Sequence, residues 1–138
     1  MKTPVTSWVL QYAVAAVAFC VLDLVWLSFV GKDLYDERLG SLLAEEPNAG
    51  AAVLFYALFV AGLVHFVVRR AGSLTGAVLD GGFFGLVAYA TFDLTGLAVL
   101  RDFPASVVVV DLVWGTFLAG VVCGLAYAVV AALPSRAT

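Results

Sequence analysis

Tyr89-Ala90-Thr91-Phe92-Asp93-Leu94-Thr95-Gly96-Leu97-Ala98-Val99-Leu100 puts an ionisable carboxylate, Asp93, inside an apolar run that begins near Ala77 and stops at Arg101. The run of 24 residues from Ala77 to Leu100 makes roughly 36 Å of helix at about 1.5 Å per residue, enough to cross a bilayer. An Asp at the centre of such a helix costs about 2.5–3.5 kcal/mol on insertion scales, so the fold must hold a partner that offsets it. Asp23 and Asp111 lie in apolar runs of their own. The reading is an all-α polytopic membrane protein whose four transmembrane helices form one bundle, with carboxylates turned inward.

Composition supports this reading. Of the 138 residues, 64% are hydrophobic and 12% charged, and the mean hydropathy is +1.08. Such a chain has too little polar surface to cover an exterior facing water, so the bilayer is its solvent. A net charge of −3 with seven basic residues leaves no basic stripe for nucleic acid. Membrane lipid is the expected surrounding partner.

One domain over residues 1–138 is expected, with spans near 8–30, 51–68, 77–100 and 105–133 and a polar loop at 31–50. Lys2 before an apolar run resembles a signal peptide, but the run continues past Cys20 to Val30, so a retained helix is expected. In the loop, Tyr35, Leu39 and Leu42 recur at helical spacing. They suggest a short amphipathic helix on the membrane surface, ended by Pro47-Asn48, with a solvated loop as the alternative. Lys2, Arg69, Arg70 and Arg136 mark one side and Lys32, Arg38 and Arg101 the other. Four against three favours cytoplasmic termini. Cys20 and Cys123 sit at different depths and are expected to be free thiols.

Two pairings suggest a tandem repeat of two-helix hairpins. The segment after Asp23 parallels that after Asp93, and Phe59-Val60-Ala61-Gly62 parallels Phe117-Leu118-Ala119-Gly120. Gly81-x-x-x-Gly85 and Gly120-x-x-x-Gly124 are small-residue ridges. They suit close helix contact within the chain, in a homo-oligomer or with a partner membrane protein.

Asp23 precedes Lys32 by nine residues, Asp93 precedes Arg101 by eight, and Asp111 follows Pro104 by seven. All three carboxylates should therefore lie roughly 10–13 Å below the membrane face that carries the first and third loops. A shared polar site is expected, with Tyr89 one turn from Asp93 as a hydroxyl donor and Trp26 and Trp114 as indole donors near Asp23 and Asp111. The bland alternative is that these Asp residues are interhelical glue, satisfied by Trp, Tyr and Thr. His65 and Asp80 form a second polar pair near the opposite face, each with an independent local explanation: a backbone or water bond for His65 and the helix N-terminus for Asp80.

No metal spacing, nucleophile elbow or phosphate-binding loop is present, so neither a catalytic residue nor a cofactor is named. Carboxylate-rich sites also suit Mg²⁺ with a phosphate substrate. The preferred function is binding or translocation of a proton, a cation or a cationic amphiphile. The alternatives are a membrane enzyme acting on lipid or isoprenoid, and an accessory or structural subunit.

Leu22-Asp23, Trp26-Leu27, Lys32, Tyr35, Leu39-Gly40, Phe55-Tyr56, Phe84-Gly85, Tyr89, Thr91, Asp93-Leu94-Thr95, Pro104, Asp111 and Trp114-Gly115-Thr116 together resemble a family of small bacterial membrane proteins catalogued as domain of unknown function 2177. The resemblance runs through nearly the whole chain. It implies four helices in a bacterial cytoplasmic membrane and carries no activity. The chain departs from the family pattern at Phe92 and Gly96, where Tyr and Asn are expected, which counts against a role needing a phenol or amide there.

Overall fold

The computed structural model describes residues 4–46 and 48–133. Lys2, Pro47, Pro134 and Arg136, which entered the reading of loops and termini, lie outside the described residues. Helix α1 (Pro4–Trp26) passes through a π-helical turn (Leu27–Gly31) into α2 (Lys32–Leu39). α3 (Ala49–Gly62) continues through a second π turn (Leu63–Val67) and a 3₁₀ turn (Val68–Arg70). α4 (Leu74–Val99) and α5 (Ala105–Ala132) complete the chain, and no strand occurs among the described residues. These elements give four helices long and apolar enough to cross a membrane.

Local signals set the boundaries. Asn48 caps α3 by accepting from the Ala51 N–H at 3.0 Å, and Ser73 caps α4 by accepting from Gly76 at 3.0 Å. Each such cap is worth about 1 kcal/mol. Asn48 therefore begins a helix; it does not end the amphipathic one. α4 starts at Leu74, three residues before the expected Ala77, which moves Asp80 away from the helix N-terminus. Pro104, with no N–H to leave unpaired, stands at the start of α5. The tight connection before it places Asp102 at φ 60°.

The helices form an antiparallel ring in which each span touches the next and α5 also packs on α1. The tightest seam joins α4 to α5. A Cβ added at Gly85 would strike the Gly115 carbonyl and the Ala119 methyl, so only glycine allows this approach. Gly81 faces Cys123 and Ala119, and Gly120 and Gly124 face Val78. Both small-residue ridges are thus used inside this chain. α1 and α3, the other expected hairpin, touch far less, so the two halves do not pack alike.

Phe19, Phe59, Leu63, Val64, Leu118 and Val122 build the core on the side of the second loop. Val17, Leu24, Phe29, Val53, Leu54, Phe83, Val109 and Val113 face outward, as an apolar solvent permits. The second span is held unevenly. Its later part, from Phe59 to Val68, carries six buried apolar residues (Phe59, Val60, Leu63, Val64, Val67 and Val68), whereas Ala49–Leu58 is exposed apart from the half-buried Tyr56.

The surface helix expected after the first span does not branch off. α2 prolongs α1, and Tyr35 turns inward and is half-buried, while Leu42 lies in an exposed turn. The π turn is the reason. It adds one residue to a helical turn and so rotates every following side chain. Cys20 and Cys123 are both free, the first on the outer surface and the second buried.

Candidate functional site

Among the described residues the buried polar or charged side chains are Asp23, Asp93 and Asp111, with 8%, 1% and 8% of their surface exposed. Each comes from a different helix, α1, α4 and α5. Among the described residues no three His, Cys, Asp or Glu side chains are close enough to hold a metal ion. Two polar centres can be distinguished by their hydrogen bonds, Tyr56 on Asp23 and Tyr35 on Asp111.

The first centre joins α1 to α3. Tyr56 donates its hydroxyl to Asp23 Oδ2, with the Tyr56 ring edge-on to Phe19 at 4.9 Å. The second joins α1, α2, α4 and α5. The Trp26 indole N–H donates to the Tyr35 hydroxyl at 3.2 Å, and Tyr35 donates to Asp111 Oδ1. Asp111 and Asp93 are neighbours that interact directly. Tyr89 stands between the centres, within electrostatic reach of Asp23, Tyr56, Tyr35 and Asp111.

The geometry around Tyr35 depends on Gly31. Trp26, Gly31 and Tyr35 follow one another at i, i+5 and i+9, which the π turn aligns on one face. A Cβ at Gly31 would come within 2.8 Å of Trp26 Nε1 and 2.9 Å of Tyr35 Cε2. The missing side chain is the space in which indole and phenol meet. Trp26 is also stacked on Trp114, with centroids 4.4 Å apart and planes 9° from parallel.

The carboxylate donors are therefore phenols, not indoles. Trp26 reaches Tyr35 and no carboxylate, and the buried Trp114 Nε1 has no hydrogen-bond partner. Thr91, Thr95 and Thr116 bond back to carbonyls of their own helices, the local satisfaction usual for threonine in a membrane helix. Tyr89 does not satisfy Asp93 Oδ1, which is buried and unpartnered. Its ring instead lies edge-on to Phe59 at 6.1 Å. His65 and Asp80 do not pair; both are exposed, on outward faces of different spans, and His65 contacts the Phe66 ring at 4.7 Å.

Tyr35 and Tyr56 were not singled out as donors by sequence reasoning. Tyr56 did carry a signal, being the only polar side chain between Ala51 and Val64. Tyr35 carried none, since an uninterrupted α-helix would aim it elsewhere.

A cleft of about 380 Å³ opens onto the second centre, lined by Phe55, Ala88, Tyr89, Phe92, Asp93 and Asp111. Its walls are aromatic and its floor holds two carboxylates. Two carboxylates in contact repel unless a proton or another cation lies with them, and a buried acceptor without a partner costs about 1–3 kcal/mol or more. The cleft thus combines a carboxylate pair with apolar and aromatic lining. At its loop end, Phe103 packs on Gly96 and edge-on to Phe92 at 5.8 Å. The two positions that depart from the family pattern here form an apolar contact.

Four helices long and apolar enough to cross a bilayer define a small polytopic membrane protein. The family described as predicted membrane protein (DUF2177) matches residues 8–128, and the chain belongs to that family. No curated protein and no solved structure matches the chain.

Proposed function

We propose that this integral membrane protein binds an organic cation, with Asp93 and Asp111 as its charge partners and Phe55, Tyr89 and Phe92 as its apolar enclosure. The observation that carries this reading is Asp93 Oδ1, buried and unpartnered in a cleft that is otherwise apolar and aromatic. Aromatic faces attract a desolvated cation by about 2 kcal/mol or more, and the carboxylate pair supplies the net charge. In the absence of the cation, a proton shared by the pair relieves the same repulsion. Tyr35, held by Trp26, orients Asp111, whereas Asp23 and Tyr56 tie α1 to α3 outside the cleft. The basic residues near the span ends favour a bacterial cytoplasmic membrane orientation with both termini in the cytoplasm.

The test is equilibrium binding of dodecyltrimethylammonium to purified protein in lipid nanodiscs. Asp93→Asn keeps the side chain's size and removes its charge, and it should weaken binding at least tenfold. Asp23→Asn should leave affinity within threefold. Equal affinities for wild type and Asp93→Asn in folded protein would refute the site.

A further inference from the structure

We infer that the ligand is a single-tailed cationic amphiphile that reaches the carboxylates sideways from the bilayer, between α3 and α4, and leaves its tail in lipid. This rests on the cation-binding reading and adds the ligand's form and its route. The mouth of the cleft lies between Phe55 of α3 and Phe92 of α4, which are 46% and 62% exposed on the outer surface of the bundle. Asp111 lies seven residues into the membrane from Pro104, roughly 10 Å at 1.5 Å per residue. The mouth therefore faces hydrocarbon, not headgroups.

On the loop side, aromatic side chains gather at Asp111. Tyr35 reaches back from α2 to Asp111, Trp26 bonds Tyr35, and Trp26 stacks on Trp114. Three aromatic side chains thus pack together beside Asp111. On the lipid side, the buried apolar residues of α3 and its continuation lie only in the later part, from Phe59 onward. Its earlier part is tied to α1 through Tyr56–Asp23 and Tyr12, whose hydroxyl donates to the Ala57 carbonyl at 3.1 Å. No hydrogen bond links it to α4 among the described residues. The weak seam and the mouth coincide.

The volume of the cleft is compatible with a small cationic head. About 380 Å³ is near the lower end of small-molecule sites, which run from about 300 to 1,000 Å³. It accommodates an alkylammonium head, and the exposed Phe55 and Phe92 let an attached chain continue into lipid. The carboxylates exclude an anionic head, and the apolar walls give a polyhydroxylated one no partners.

Two measurements in nanodiscs separate the route from the site. In the first, tetramethylammonium and dodecyltrimethylammonium, which share a head, are titrated against the wild-type protein. Lateral access predicts at least tenfold tighter apparent binding of the tailed probe. Equal affinities would leave a cation site reached from water and overturn the lateral route, and no binding of either probe would overturn the cation site together with this inference. In the second, Phe55→Cys and Phe92→Cys are introduced with Cys20→Ala and Cys123→Ala and bridged by a bifunctional methanethiosulfonate. Bridging should slow association of the tailed probe at least tenfold relative to the same protein after reduction. An unchanged rate would overturn the route.

Discussion

Tyr35 donates its hydroxyl hydrogen to Asp111 across 76 positions of sequence, fastening the membrane-surface end of the first span to the fourth. The counterpart is Tyr56 on Asp23, which fastens the second span to the first. The bundle is thus closed by two phenol–carboxylate bonds on separate carboxylates.

Removing either phenol leaves a buried carboxylate short of a donor. Tyr35→Phe and Tyr56→Phe should each destabilise the protein by about 1–3 kcal/mol, the usual result of stranding a buried acceptor. Because the bonds belong to different centres, the double variant should show the sum within about 0.5 kcal/mol. Reversible unfolding in mixed micelles measures this. A double variant no less stable than either single one would show that the two carboxylates act as one network.

Gly31→Ala should drive Trp26 and Tyr35 apart and destabilise the bundle by about 1–3 kcal/mol, the usual effect of overpacking. Gly72→Ala is the control, since nothing lies within 4 Å of the Cβ it would add, and it should be neutral within about 0.5 kcal/mol. Tryptophan fluorescence should change with Gly31→Ala alone, through the stacked Trp26–Trp114 pair. Unchanged emission would mean that the π turn does not set the indole position.

Much of the architecture is legible in residue order, because a bilayer permits few solutions. Apolar runs of membrane length must be helices, and a carboxylate inside one must turn inward. That reasoning finds Asp23, Asp93 and Asp111 without coordinates. It fails at Tyr35, because a π turn at Leu27–Gly31 changes the face on which every later side chain falls. It fails for His65 and Asp80, whose chemistry invites pairing while helix rotation points both outward. The division of the carboxylates is also hidden, since equal depth says nothing about lateral position around a ring of helices.

Cys20 lies on the outer surface and Cys123 is buried against the α4–α5 seam. The number of membrane-permeant maleimide adducts at Cys123 should therefore rise from none in the folded protein to one after denaturation. Intact-mass and peptide analysis report both numbers. Ready labelling of Cys123 in the folded protein would contradict the close α4–α5 packing.

Ser41 and Gly72 lie in successive loops, at opposite ends of the second span. Single Cys substitutions there, in a Cys20→Ala, Cys123→Ala background, should react with an impermeant reagent from opposite sides of sealed vesicles. Labelling from the same side would break the four-span arrangement.

The central claim is that a cation is held at Asp93 between Phe55 and Phe92. A quaternary ammonium carrying a benzophenone near its head, photolysed with the protein in nanodiscs, tests this most directly. The predicted result is saturable adduct formation on Phe55, Tyr89 or Phe92, lost in Asp93→Asn and retained in Asp23→Asn. Adducts confined to residues outside the cleft, or a yield unaffected by Asp93→Asn, would contradict it.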